Sequence, residues 1–462
     1  MVESGFYHAL KVDGDKCFGC THCMNVCPTA AIRIRDGVAT IRPDWCVDCG
    51  ECMRACPVDA FYVEQDDFDK IFQYKCRVAL VPAVLIGQFP EKVTEAEIFS
   101  VMRELGFTHV FQTEHTAGII SRSMVEAARE MEDKPVISSF CPAIVRLIQI
   151  KFPSLLDQVM RIKPPIDASA VYFRKRLEDE GIHPDDIGIF YITPCAAKIA
   201  AVKSPVGEEQ SPIDGVINMQ FIYNKIYKRI KSRHETSSIS PGEMLPLLSP
   251  GSIKYSLTGG EASRMEGRCL AIDEIHNVIE FLEKLEHDEI EGVDFLELRA
   301  CDQSCAGGVL VGGNRFLTTE RLNKRAGRFE GVADIPGDIK AYTHFMSNNL
   351  DIGLLEPRSM MALDEDMGEA MRKMQQVRHL MCFLPGIDCA ACGAPNCQSL
   401  AEDIVRREAQ LSACVFIQRM MEKHSKLSGE HALKIIEKIW GKNRLDKDCK
   451  KKGAADEANI EE

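Results

Sequence analysis

Cysteines dominate the chemistry this chain can do, and it carries 20 of them. Cys17, Cys20, Cys23 and Cys27 run up to Pro28, and the same arrangement returns at Cys46, Cys49, Cys52, Cys56 and Pro57. Three closely spaced thiolates can wrap an iron-sulfur cubane corner by corner, and the doubled three-plus-one spacing with both prolines fits that chemistry better than a pair of zinc knuckles. A third group, Cys389, Cys392 and Cys397 with Cys414 beyond it, lies in a stretch of alanine, glycine and proline that permits tight wrapping. Its spacing suits either an iron-sulfur cluster or a tetrahedral zinc. Four more cysteines, Cys141, Cys195, Cys301 and Cys305, follow three apolar runs. Taken singly, each reads as a small core residue; taken together, they could be metal ligands.

The elements that must position these thiols follow from hydrophobic patterning. Val78–Ile86 and His109–Gln112 read as strands, and Glu95–Leu105 and Ile119–Met131 as helices. Val136–Phe140, Ile187–Pro194 and Val293–Ala300 read as strands that deliver Cys141, Cys195 and Cys301 at their carboxyl ends, with Cys305 four residues on. Alternating strands and helices predict an α/β domain, in which sites form just outside the carboxyl ends of strands. From Gln398 to Phe416 the apolar spacing is helical, so Cys414 is expected to return on a helix.

Composition limits the alternatives. Of 462 residues, 56 are Lys or Arg and 69 Asp or Glu, a net charge of −13 that excludes a nucleic-acid surface. The one basic run, Lys447 to Lys452, lies in a polar tail. At 45% hydrophobic and 27% charged residues the chain is globular, with room for roughly three domains. No apolar leader opens it, and Val78–Ile86 falls far short of the ~20 residues a bilayer span needs, so a cytoplasmic location is expected. Thiols stay reduced there, which favours metal thiolates over disulfides.

The duplicated run resembles bacterial-type ferredoxins. That resemblance implies two 4Fe-4S clusters that exchange their fourth ligands: Cys17, Cys20, Cys23 and Cys56 on one, Cys46, Cys49, Cys52 and Cys27 on the other. His22, inside the first run, reads as a surface residue. The Cys389–Cys414 group resembles the small four-cysteine iron-sulfur domain found beside redox enzymes. Phe140-Cys141-Pro142, Thr193-Pro194-Cys195-Ala196-Ala197-Lys198 and Glu297-x-x-x-Cys301-x-x-x-Cys305-Ala306-Gly307-Gly308 resemble, in order, the three signature loops of the iron-only (FeFe) hydrogenase catalytic domain. Gly259 and Gly260 resemble a further element less sharply. The resemblance implies that Cys141, Cys195, Cys301 and Cys305 bind the H-cluster, a 4Fe-4S cubane bridged through Cys305 to a two-iron unit with carbonyl, cyanide and an amine dithiolate. Lys198 matches the lysine that contacts a cyanide, and Gly307 and Gly308 read as close backbone approaches or as a turn. The terminal iron-sulfur module resembles the sensory branch of the family.

The chain departs from the fast members of that family at three places. Phe140 stands where they carry a proton-relaying cysteine, and a phenyl ring has no exchangeable proton. Ile199, Ala200 and Ala201 follow Lys198 where they carry a carboxylate, and Arg299 replaces a methionine. Arg299 either faces the site with a permanent charge or points to the opposite face of its strand. Glu114, His115 and Glu261 are candidates for a replacement proton path, although loop residues of these types are more often surface-exposed. Cys76, Cys269, Cys382 and Cys449 take no metal role.

The architecture expected is a two-cluster ferredoxin-like α+β domain at 1–65, an α/β catalytic domain at 76–365, a small helical iron-sulfur domain at 375–425 and a polar tail at 426–462. The function expected is slow, reversible heterolytic cleavage of dihydrogen, used for dihydrogen or redox sensing in an anaerobe, with a ferredoxin, kinase or phosphatase as partner and dedicated maturation proteins. The rival is an electron-transfer or scaffold protein of the same fold without the two-iron unit.

Overall fold

Two parallel sheets carry the larger of the two units into which the chain folds. The computed structural model describes residues 6–233, 247–329, 331–358, 363–364 and 366–442. The first unit comprises Met1–Lys11, Pro43–Arg54 and Tyr62–Met360; the second comprises Val12–Arg42, Ala55–Phe61 and Met361–Glu462.

In the first unit a four-stranded sheet runs His109–Gln112, Cys76–Val81, Ile187–Thr193, Gly215–Asn218. Its pairings are parallel, with Val78 opposite both His109 and Ile189. A three-stranded sheet runs Cys269–Ile272, Phe295–Leu298, Val136–Ile137, also parallel, with Leu296 opposite Ile137 and Leu270. Every residue of Ile187–Thr193 is buried, as expected for a central strand covered on both faces. The expected strand Val78–Ile86 is corrected: it ends at Val81, and Pro82 caps a short helix, Ala83–Gly87. Proline cannot donate to a sheet ladder, so the apolar run is divided between two elements. The helix Glu95–Glu104 starts in a capping box in which Thr94 and Glu97 satisfy each other's backbone N–H groups. The next helix, Ala117–Glu130, begins two residues earlier than its apolar spacing predicts.

In the second unit a hairpin joins Ile32–Arg35 to Val38–Ile41 through Asp36-Gly37, both at positive φ. Asp-Gly is the pair such a tight turn favours. Asp403, fully buried, accepts from Arg33 Nε and Nη2 (2.8 and 3.0 Å), Arg35 Nη2 (2.9 Å) and Arg42 Nη2 (2.7 Å). Gly393, at φ +73°, lets Ile34 N donate to its carbonyl at 2.9 Å; a Cβ there would stand 2.4 Å from the Ile34 oxygen. Helices Cys397–Val405, Val415–Lys423 and Gly429–Trp440 complete this unit's apolar core around Leu400, Cys414 and Ile439. The last of these lies where a polar tail is expected; burial of Ala432 and Ile439 explains the difference. Residues 443–462, including Cys449, lie outside the described residues.

Candidate functional site

Each apolar run does deliver its cysteine to a strand end. Cys141 follows Val136–Ile137 and caps the helix Pro142–Lys151; Cys195 follows Ile187–Thr193 and caps Ala196–Lys203. Helix N-termini favour negative charge, which suits a thiolate at both caps. Cys301 and Cys305 lie in the turn beyond Phe295–Leu298, and Cys305 N donates to Ser256 O at 3.3 Å. The structure brings the four together. Burial, and then the charges of Cys305 and Cys141, hold the Cys195 thiol up to about 12 against the pull of Lys198. Burial, followed by Cys195 and Cys141, holds Cys301 well above its ordinary range.

Gly307 and Gly308 serve this convergence through backbone packing. A Cβ at Gly308 would fall 2.3 Å from the Pro194 oxygen and one at Gly307 1.9 Å from the Asp302 oxygen. The loop thus closes directly on the Cys195 turn, where Leu310 N donates to Pro194 O at 2.9 Å.

A charged layer backs the sulfurs. Lys198 is buried and its Nζ lies 3.6 Å from Cys305 Sγ. Burial would depress its pKa, but the surrounding sulfurs and Tyr191 outweigh burial and raise it, so it stays cationic. Phe140 packs against both cations, with the Arg299 guanidinium 3.5 Å and Lys198 Nζ 4.5 Å from its ring centroid. Arg299 therefore faces the site, its carboxylate partners being Glu261 (Nη2 to Oε2, 2.8 Å) and Glu297 (Nε to Oε1, 3.3 Å). Glu261 also accepts from Ser138 Oγ at 2.7 Å and Tyr255 OH at 3.3 Å, while Glu297 accepts from the backbone N–H groups of Gly259, Glu261 and Ala262. Patterning gave no sign of Ser138 or Tyr255, because their roles depend on contacts distant in sequence.

The expectation that Glu114, His115 and Glu261 are surface groups is wrong: they are 0%, 3% and 3% exposed. Glu114 accepts from Ala83 N at 2.9 Å and Ser256 Oγ at 2.7 Å, and burial raises its pKa. Burial drives His115 down to about 4, below the unfolded value of 6.5. Between those values the unfolded chain binds more protons, so this residue's contribution to stability is intact above pH 6.5 and is lost as pH falls towards 4. Across that window the loss should reach about 3 kcal/mol, read from denaturation midpoints against pH. A His115→Gln variant should show a flatter profile.

The donors fit an iron-sulfur group with anionic ligands. Four half-buried thiols converge, and two side-chain donors, Arg299 Nη1 and Tyr191 OH, are buried beside them without a hydrogen-bond partner among the described residues. Unsatisfied buried donors are costly, and an anionic or acceptor ligand would satisfy them.

In the second unit, burial and then Cys20, Cys17 and Cys56 hold the Cys23 thiol up to about 12, so the structure groups those four. The fourth cysteine of each run accepts from the N–H four residues on: Ala31 N to Cys27 Sγ and Ala60 N to Cys56 Sγ, both 3.2 Å. His22 is exposed. Burial, with Cys414 and Cys389 adding charge, holds Cys392 up to about 11. Cys397 is buried in the same core. The expectation that Cys414 lies along a helix is corrected: a break after Val405 leaves it as the N-cap of Val415–Lys423.

Cys46, Cys49 and Cys52 belong to the first unit. There a ring nitrogen of His8, Cys46 Sγ and an Asp48 oxygen lie within 4.8 Å of one another. Asp48 already accepts from His8 Nδ1 (2.8 Å), Ala9 N (3.0 Å), Leu10 N (3.2 Å) and Arg146 Nη1 (3.0 Å), which leaves no lone pair for a metal. Cys76 and Cys269 open strands, and Cys382 is exposed at a helix end.

Among the described residues no helix is long and apolar enough to cross a membrane. Residues 75–266 match the family described as the iron only hydrogenase large subunit, C-terminal domain. Residues 10–60 match a 4Fe-4S dicluster domain, and 384–416 an Fe-S cluster domain. The chain is 30% identical over 215 residues to the periplasmic Fe hydrogenase large subunit of Nitratidesulfovibrio vulgaris, covering 41% of this chain and 50% of that one. It is 24% identical over 391 residues to the NADP-reducing hydrogenase subunit HndD of Solidesulfovibrio fructosivorans, covering 78% and 61%. It thus spans about half to three-fifths of the length of these curated relatives. An apo FeFe hydrogenase structure from Chlamydomonas reinhardtii superposes with a TM-score of 0.48 at 16% identity, over 64% of this chain and 97% of that one. The hydrogenase and dicluster matches, in order along the sequence, support an FeFe hydrogenase-like family for this chain.

Proposed function

We propose that this protein is a low-turnover FeFe hydrogenase, cleaving dihydrogen reversibly and heterolytically into protons and electrons, and that it serves dihydrogen or redox sensing in the cytoplasm of an anaerobe. One observation carries the reading: four thiols from three strand ends meet beside a buried lysine, facing an arginine with an unsatisfied donor. In this reading Cys141, Cys195, Cys301 and Cys305 hold the cubane half of the H-cluster, which when bound supplies the open iron position for dihydrogen. Lys198 Nζ and Arg299 Nη1, both cationic, would donate hydrogen bonds to the anionic cyanides of that group. Phe140 and Tyr255 pack against each other on one face of the site, their ring centroids 6.0 Å apart. Cys17, Cys20, Cys23 and Cys56, then Cys46, Cys49, Cys52 and Cys27, hold two further 4Fe-4S clusters, and Cys389, Cys392, Cys397 and Cys414 a last one. When bound, such clusters would supply a path for electrons to a redox or signalling partner.

The loss of a thiol at position 140 accounts for slow turnover, since a positioned acid-base group supplies roughly 100-fold to 10,000-fold in rate. A scaffold protein without the two-iron unit would keep the same thiols. The unsatisfied donors at Arg299 and Tyr191 would suit cyanide ligands on such a group. Infrared spectroscopy of the full chain, produced with hydrogenase maturation proteins, separates the two. Carbonyl and cyanide bands are expected, and Cys195→Ser should remove them by taking away a cubane ligand. A spectrum without such bands in fully iron-loaded native protein would overturn the hydrogenase reading.

A further inference from the structure

With a phenyl ring at position 140, protons need another way through the wall of the site. One cavity, of about 70 Å³, reaches that wall: Phe140 and Lys198 line it together with Asp167 and Glu208. A water needs roughly 10–15 Å³ of such space and polar partners, so the cavity has room for a short chain of them. Ile162, Ile166 and Val145 supply apolar lining.

Asp167 stands in the first turn of Pro165–Asp179, fixed there by the prolines at 164 and 165. Its carboxyl group has no hydrogen-bond partner among the described residues; burial and the charges of Glu208, Lys163 and Lys198 bear on it. Glu208 pairs with Lys163 Nζ and has a side chain 23% exposed, which gives the cavity an acid in touch with solvent. The other polar groups of the site are less free. Glu261 is pinned by Arg299, Ser138 and Tyr255, and Lys198 is held as a cation among sulfurs.

We propose that Asp167 is the proton carrier of this protein, passing protons between Glu208 and the space bounded by Phe140 and Lys198. This deepens the hydrogenase reading and rests on it. In the direction of dihydrogen formation the protonated Asp167 carboxyl releases its proton to water on the Phe140 side and is reprotonated from the Glu208 side. In dihydrogen oxidation the same transfers run backwards. No electron moves in either. Burial, then Glu208, push Asp167 up to about 7 against Lys163 and Lys198, so both protonation states are populated near neutral pH.

The test uses the maturated full chain with Asp167→Asn, Asp167→Glu and the double variant Phe140→Cys/Asp167→Asn. Asp167→Asn should lower turnover about 10-fold to 100-fold with carbonyl and cyanide bands at native intensity. Asp167→Glu should recover most of the rate, and the thiol of the double variant should bypass the block, which a merely structural role for Asp167 would not allow. In protein made without maturation, infrared difference titration should show a carboxyl group that ionises near neutrality and is missing from Asp167→Asn. Native turnover in Asp167→Asn with full bands, or a titrating carboxyl unchanged by that substitution, would overturn the proposal alone. Native protein without carbonyl and cyanide bands would overturn the hydrogenase reading, and the proposal with it.

Discussion

Phe140→Cys should raise turnover by about 100-fold or more at unchanged cofactor occupancy. The ring now lies beside both the guanidinium of Arg299 and the ammonium of Lys198, at 3.5 and 4.5 Å from its centroid, and offers neither an exchangeable proton nor an acceptor for one. A thiol at the same Cα can take up and release a proton beside the sulfurs. The substitution also empties volume in a buried cluster with Ala117 and Tyr255, at a cost of about 3 kcal/mol. Rate and stability should therefore move in opposite directions, a combination that general loosening of the site would not produce. Dihydrogen assays normalised to carbonyl and cyanide band intensity, alongside denaturant unfolding, check both. An unchanged normalised rate would show that proton delivery past residue 140 does not limit turnover.

Arg299→Met should destabilise the protein by about 3–5 kcal/mol, because it strands a buried carboxylate. Glu297 keeps three backbone donors when the guanidinium goes, but Glu261 keeps only the hydroxyls of Ser138 and Tyr255. Burial already raises the pKa of Glu261, with Arg299 the chief influence opposing it. Adding Glu261→Gln to Arg299→Met should recover much of the loss, since the glutamine is neutral. Chemical denaturation of both variants measures this, and a single variant within about 1 kcal/mol of the native protein would mean the ion pair is dispensable.

The strand ends and their thiols were legible because strands announce themselves locally: Ile187–Thr193 is a continuous apolar run, and Cys195 simply follows it. Pro82 marks the division of the apolar run around it in the sequence itself, since a proline cannot donate to a sheet ladder. The charged layer was not. Glu261 and Arg299 are 38 positions apart, and Ser138 and Glu261 are 123 apart. No periodicity records pairings that only tertiary closure creates. For the same reason Glu114, His115 and Glu261 look like solvated loop residues until the elements around them are in place. Asp167 gave still less sign, being an ordinary first-turn acid whose importance comes from a cavity walled by several segments.

The carboxylate of Asp403 has a wider consequence. Three arginines between residues 33 and 42 find their counterion on a helix some 360 positions downstream. Cutting away the terminal module would strand guanidinium groups inside what remains, so that module is no removable accessory. Beginning and end of the chain stand or fall as one body, and any cluster they hold depends on both having been synthesised.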